Sequence, residues 1–218
     1  GLSRLFLGSK GTQAVSDLPK QRQQTDAHRQ AFGAVLTKLR GSHPTAQLRS
    51  AIDNADAAIN NLEGMRTKIS NLSATGAETA TYYVDTIGKL LGIASELATQ
   101  SARGDIALSM VAYVSFLQGK ERAGQERATG SAGLAAGKFD AGTFSRFVSL
   151  AAAEDSYFST FKAIAPEEAR AAFDKTLSGK SVEDVNRMRQ RIVMGGMSGD
   201  VGDLSADGCR VLIRGIVR

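Results

Sequence analysis

The stretch that decides the fold is Ile106–Ala136, IALSMVAYVSFLQGKERAGQERATGSAGLAA. It contains no proline and is rich in alanine, a strong helix former. Along it Ile106, Met110, Tyr113, Leu117, Lys120, Gly124, Arg127, Ser131 and Leu134 recur at alternating steps of four and three. That spacing is the seam of a long helix packed against others. The first half of the seam is apolar, and the second half carries charge and small residues.

Working outward, Asp105 is the expected N-cap of this helix, and Gly137 to Asp140 closes it. Ala141 to Ile164 reads as the next helix, and Pro166-Glu167-Glu168 opens another, since proline and acids suit a first turn. Ser181-Val182-Glu183-Asp184 reads as a capping box that opens the last helix, ending at Gly195-Gly196. Upstream, helices are expected over Ala77–Ser101, Thr45–Leu72 and Thr12–Leu39. In the second of these Leu48, Ile52, Ala55, Ile59, Leu62, Met65 and Ile69 line one face. Residues 2–8 read as the end of a further helix, stopped by Gly8-Ser9-Lys10-Gly11. The expected class is all-α: about eight helices in two stacked antiparallel bundles, split near residue 103 and sharing the long central helix. Residues 196–218 form a tail of another character, loop-like at first and strand-like over Cys209–Arg218.

The 218 residues are 42% hydrophobic and 22% charged, the balance of a folded domain rather than a disordered one. The net charge of +5 comes from lysines and arginines interspersed with acids. No dense basic run stands out, so this region is expected to bind no nucleic acid. Cys209 is the single cysteine, which excludes an internal disulfide. His28 and His43 lack metal-ligand spacing to each other or to Cys209, so neither a metal nor a cofactor is expected. No nucleophile with a base and no convergent carboxylate pair is recognisable, so there are no catalytic residues and the chain is not expected to be an enzyme. Gly8-Ser9-Lys10-Gly11 lacks the spacing and the preceding strand of a phosphate loop. No apolar run reaches the ~18 residues of a spanning helix. The chain opens on Gly1, and it is read as a piece of a longer protein.

Three stretches in order resemble the nitrate- and nitrite-sensing (NIT) family of bacterial signalling proteins. The first is Gly-Leu-Ser-Arg-Leu-Phe-Leu-Gly-Ser-Lys-Gly at 1–11, followed by Leu18-Pro19-Lys20-Gln21-Arg22-Gln23-Gln24-Thr25-Asp26. The second is Tyr82-Tyr83 with Ile87 and Leu91. The third is Leu117-Gln118-Gly119-Lys120-Glu121-Arg122-Ala123-Gly124-Gln125-Glu126-Arg127-Ala128, with Phe139-Asp140 and Phe144 beyond it. The resemblance covers residues 1 to about 194 and is lost after about 195, where this chain reads Asp207-Gly208-Cys209-Arg210. It implies a sensory input domain of a bacterial inner-membrane protein, such as a chemotaxis receptor, lying in the periplasm; the alternative is cytoplasmic. Nitrate or nitrite would be held by arginines between helical bundles. A homodimer is implied, with an output domain of chemoreceptor, kinase, cyclic-dinucleotide or antiterminator type outside these 218 residues. The family's second Glu-Arg motif falls on Glu126-Arg127, and its C-terminal arginine falls within Arg187-Met188-Arg189, on Arg187 by preference. Its first arginine belongs to a Glu-Arg that would immediately precede Gly1. The competing reading is a helical dimerisation or interaction module without a ligand.

The residues suit the chemistry. Nitrate is planar, singly charged and accepts hydrogen bonds only. A guanidinium is a planar fork of donors whose charge does not titrate away. The resemblance therefore implies Arg127 and Arg187 as the ligand residues; from the residues alone, Arg187, Arg189 and Arg191 read as a solvated basic face. Gly124, one turn before Arg127, would leave room for the anion, and Arg189 is a lesser candidate. The alternative for Arg127 is a carboxylate on an adjacent helix. Glu126 is expected to pair with Arg122 at i,i+4. Arg187, Arg189 and Arg191 lie on different sides of one helix, so at most two face a common site. Arg22, Thr25 and Asp26 are expected to interact locally on one helix face.

Overall fold

The computed structural model describes residues 1–205 and Gly208, and among these every regular element is a helix. In chain order they are α1 (Leu2–Gly8), α2 (Asp17–Gly41), α3 (Ala46–Asn60), α4 (Leu62–Ser70), α5 (Gly76–Thr99), α6 (Gly104–Ala135), α7 (Ala141–Ile164), α8 (Glu167–Thr176) and α9 (Lys180–Gly195). The chain forms two compact units, Gly1–Gln100 and Ser101–Arg218. The long helix α6, expected to serve both bundles, falls wholly within the second. The strand-like reading of Cys209–Arg218 lies outside the described residues.

Four helix starts differ from expectation. The second helix begins at Asp17 rather than Thr12, because Ser9 Oγ accepts the Gln13 amide at 2.9 Å and Ala14 takes a φ of 59°. Pro19 then lies in the first turn, where a missing donor costs least. The expected single helix over 45–72 breaks at Asn61, whose side-chain amide donates to the Ala57 carbonyl at 3.1 Å. Ser181 does not cap α9: that helix starts at Lys180 behind Gly179, whose φ is 86°, with no side-chain cap. Nor does Asp105 cap α6, which starts at Gly104 with Asp105 in its first turn. Thr45, Thr75 and Asp140 are the side-chain caps seen among the described helices, of α3, α5 and α7.

In the first unit Leu36, Leu48, Ile52, Ala55 and Ile93 join α2, α3 and α5, and Leu18, Met65, Ile69 and Ala74 form a second cluster with the half-buried Phe6 and Tyr83. In the second unit Phe161, Phe173, Phe116 and Phe158 pack aromatic edges and faces between α6, α7 and α8. Phe139, Phe147, Val185, Met188 and Ile192 fasten α9 to α7 and to the turn before it. Phe147 is fully buried, a contribution of about 1.5–3 kcal/mol.

The buried face of α6 is not the expected seam but the row one residue before it. Ala112, Gly119, Ala123, Glu126, Gly130 and Gly133 are buried, whereas Ile106 and Tyr113 are exposed. The cause is steric. The Phe158 ring lies where a Cβ on Gly119 would be, 2.4 Å from it, and the Phe139 ring crowds Gly133 equally. The small residues of this row admit the phenylalanines, and Ile106 and Tyr113 turn outward. After α9 the chain folds back on its own unit. The Asp200 carbonyl would lie 1.7 Å from a Cβ on Gly195, Phe139 N–H donates to the Gly196 carbonyl at 2.8 Å, and Leu204 packs against the Phe139 cluster.

Candidate functional site

The second unit brings Glu126 of α6, Glu154 of α7 and Arg189 of α9 together in its interior. Each lies on its helix's buried row: Glu126 between Ala123 and Gly130, Glu154 four residues after Leu150, and Arg189 between Val185 and Ile192. Arg189 Nε and Nη2 donate to the two oxygens of Glu126 at 2.7 and 2.5 Å, the two-point geometry that makes such pairs strong. Nη2 also donates to Glu154 Oε2 at 2.5 Å, and Asp155, itself exposed, stands 3.9 Å from Nη1. Glu126 is 0% exposed, Glu154 5% and Arg189 16%, counting side chains. Burial pushes the Glu154 carboxyl up to about 8; Arg189 acts against that and the neighbouring Glu126 carboxyl adds to it.

The expected site residues occupy different surroundings. Arg189, the lesser candidate, is the arginine turned into the unit. Arg187 lies two residues earlier on the outer side of α9, 61% exposed and 2.5 Å from Asp184 Oδ1. Arg127 is half-buried and engaged with a neighbour. A Cβ on Gly124 would meet nothing within 4 Å, so there is open space one turn before Arg127. Glu126 does not pair with Arg122 as the i,i+4 spacing suggests. It points into the unit towards Arg189, while Arg122 bonds Gln118 at 3.3 Å and lies over the Tyr157 ring. The sequence held the signal for Arg189, which stands four residues after Val185 and three before Ile192. Glu154, which the sequence reading passed over, continues the row of Phe147 and Leu150 in the same way.

A second ionic group lies in the first unit and ties α2 to α4. Arg66, 6% exposed, donates to Asp26 at 2.6 Å and to Glu63 at 2.9 Å. Arg66 Nη2 reaches the Arg22 carbonyl at 3.3 Å, and Arg22 Nη2 reaches the Arg66 carbonyl at 3.1 Å, so each guanidinium holds the other's backbone. Arg22, Thr25 and Asp26 therefore do not form a local set: two of them turn to α4, and Thr25 bonds the Gln21 carbonyl. No group of three histidine, cysteine, aspartate or glutamate side chains among the described residues could hold a metal ion.

Residues 1–208 match the family model described as nitrate and nitrite sensing. The nitrate regulatory protein of Klebsiella oxytoca is 28% identical over 189 residues, which are 86% of this chain and 48% of that protein. A solved structure of the NasR transcription antiterminator matches with a TM-score of 0.79 at 23% identity, over 99% of this chain and 61% of that one. At that identity the likeness shows the fold alone. The chain spans about half the length of the curated relative it matches.

Two expectations are corrected by these findings. Placement in the inner membrane, with a periplasmic domain in a chemotaxis receptor, does not stand. The matched proteins are a regulatory protein and a transcription antiterminator. The exclusion of nucleic acid from the partners also falls, since one matched protein is a transcription antiterminator. Interspersed charge was its basis, and charge pattern measures nonspecific attraction to phosphates rather than a protein's role in transcription.

Proposed function

The chain belongs to the nitrate and nitrite sensing family, and from that premise we propose that it is the ligand-binding input module of a regulatory protein, taking up nitrate or nitrite through arginines without chemical turnover. The observation that carries the reading is the family match over residues 1–208. The local chemistry supports it: Arg127 lies on α6 one turn beyond the open space at Gly124, and α9 carries Arg187 and Arg189. An anion that draws guanidinium groups together favours one helix arrangement over another, and that difference is what a sensor passes to its output. Arg189 already carries two carboxylates; the family signature on Glu126-Arg127 and on α9 is the reason for taking Arg127 as the first ligand and Arg187 as its companion.

Thermal unfolding measured against sodium nitrate and sodium nitrite, with sodium chloride at equal ionic strength as reference, tests this. A ligand at a hundred times its Kd stabilises the folded chain by about 2.7 kcal/mol, a rise in Tm of roughly 5–11 °C for a chain of this size. Arg127→Ala should abolish the rise. Equal curves in nitrate, nitrite and chloride would remove the sensing role from this chain. A full rise in Arg127→Ala would remove that arginine from the site.

A further inference from the structure

Glu126, Glu154 and Arg189 present two buried carboxyls to one guanidinium, each carboxyl from a different helix. The arrangement has one acid too many. With both carboxyls ionised, the interior of the unit would hold an uncompensated negative charge on residues 0% and 5% exposed. Two acids sharing a dry site keep one proton between them. Nor does stability alone explain the group, since apolar residues of similar volume usually serve a core at least as well as a buried ion pair.

We propose that the three residues form a one-proton latch holding α9 against α6 and α7: the closed form retains a proton shared by the two carboxyls, and opening surrenders it to water. The apolar contacts of Val185, Met188 and Ile192 lie on the same side of α9 as Arg189, so freeing the guanidinium and lifting the helix are one motion. The sign follows from proton counting. The closed latch binds one proton more than the open form from the ordinary glutamate range up to about 8, so opening becomes easier as pH rises through that window and levels off above it.

The other charged groups facing the latch are few. Asp155 of α7 is exposed, 3.9 Å from Arg189 Nη1. Glu121 of α6 bonds Gln125, which in turn receives Arg146 of α7 at 3.4 Å; burial raises the Glu121 carboxyl as well. Arg122 lies over Tyr157, and Arg187 with Asp184 turns outward. Both histidines, His28 and His43, belong to the first unit. Because α9 also carries Arg187, the latch bears on the proposed anion site, but its test needs no anion.

The experiment is hydrogen exchange of the α9 amides, Val185 to Ile192, in the whole chain at pH 5.5, 6.5 and 7.5, as protection corrected for the intrinsic rate. Protection of α9 should fall by about tenfold per pH unit, and Glu154→Gln should flatten that slope to less than about twofold over the range, one proton having been removed from the balance. Glu126→Gln removes the same excess acid and should flatten it too, which keeps the test decisive if circular dichroism shows the first variant misfolded. Glu121→Gln should keep the native slope. A flat native profile, a native slope in both latch variants, or an equal slope in α3 and α5 would overturn the latch.

Discussion

Adding one methyl group to α6 at two positions should have opposite effects, and the geometry supplies the difference. In Gly133→Ala the new Cβ would lie 2.4, 2.5 and 2.5 Å from three atoms of the Phe139 ring. Ordinary carbon contacts are about 3.5–4.0 Å, so the ring must retreat by roughly 1 Å. It has nowhere to go: Phe139 is 2% exposed and packs edge-on against the fully buried Phe147 at 5.8 Å. Overpacking of this kind costs about 1–3 kcal/mol, against a helix-propensity gain of about 0.5–1 kcal/mol for replacing glycine. The net result is a loss of up to about 2 kcal/mol. In Gly124→Ala the methyl meets nothing within 4 Å, so only the gain of about 0.5–1 kcal/mol remains. Urea unfolding of both variants, followed by far-ultraviolet circular dichroism, measures the gap, expected to be about 1–3 kcal/mol. Pairing Gly133→Ala with Phe139→Leu should recover part of the loss that the two single changes sum to. Equal stabilisation by both glycine replacements would refute the reading of α6 as a small-residue face pressed on phenylalanines.

Two further outcomes follow from the ionic contacts. Arg66→Met keeps the buried stem but loses the bonds to Asp26 and to the Arg22 carbonyl, and should cost the first unit about 1–3 kcal/mol in the same assay; an unchanged midpoint would mean that the clasp between α2 and α4 contributes nothing. The Thr143 hydroxyl and amide hold the Asp140 carboxyl below its usual range as the cap of α7. Its contribution is therefore present above the ordinary aspartate pKa and lost as pH falls through the lowered one, opposite in sign to Glu154. Asp140→Asn should remove that acid-side loss while leaving the pH 7 midpoint little changed, and a native acid profile in the variant would sink the assignment.

Helices, their turns and the family were legible in the sequence because they rest on local rules. Proline and glycine punctuate the chain, apolar residues recur at helical spacing, and Lys120-Glu121-Arg122 to Glu126-Arg127 carries the family signature. The face that α6 buries was not legible. A periodic search weighs apolar bulk and chose Ile106, Tyr113 and Leu117, whereas packing chose the glycines and alanines one residue earlier, which carry almost no hydrophobic signal yet allow the closest approach. The one-residue offset also decides the chemistry, for it turns Glu126 into the second unit and gives Arg127 the neighbouring side of the helix. Between Arg187 and Arg189 the family motif favoured the first, while the row of Val185 and Ile192 marked the second. The partners of α9, Glu126 and Glu154, 63 and 35 residues away in the chain, decided between them by burying Arg189.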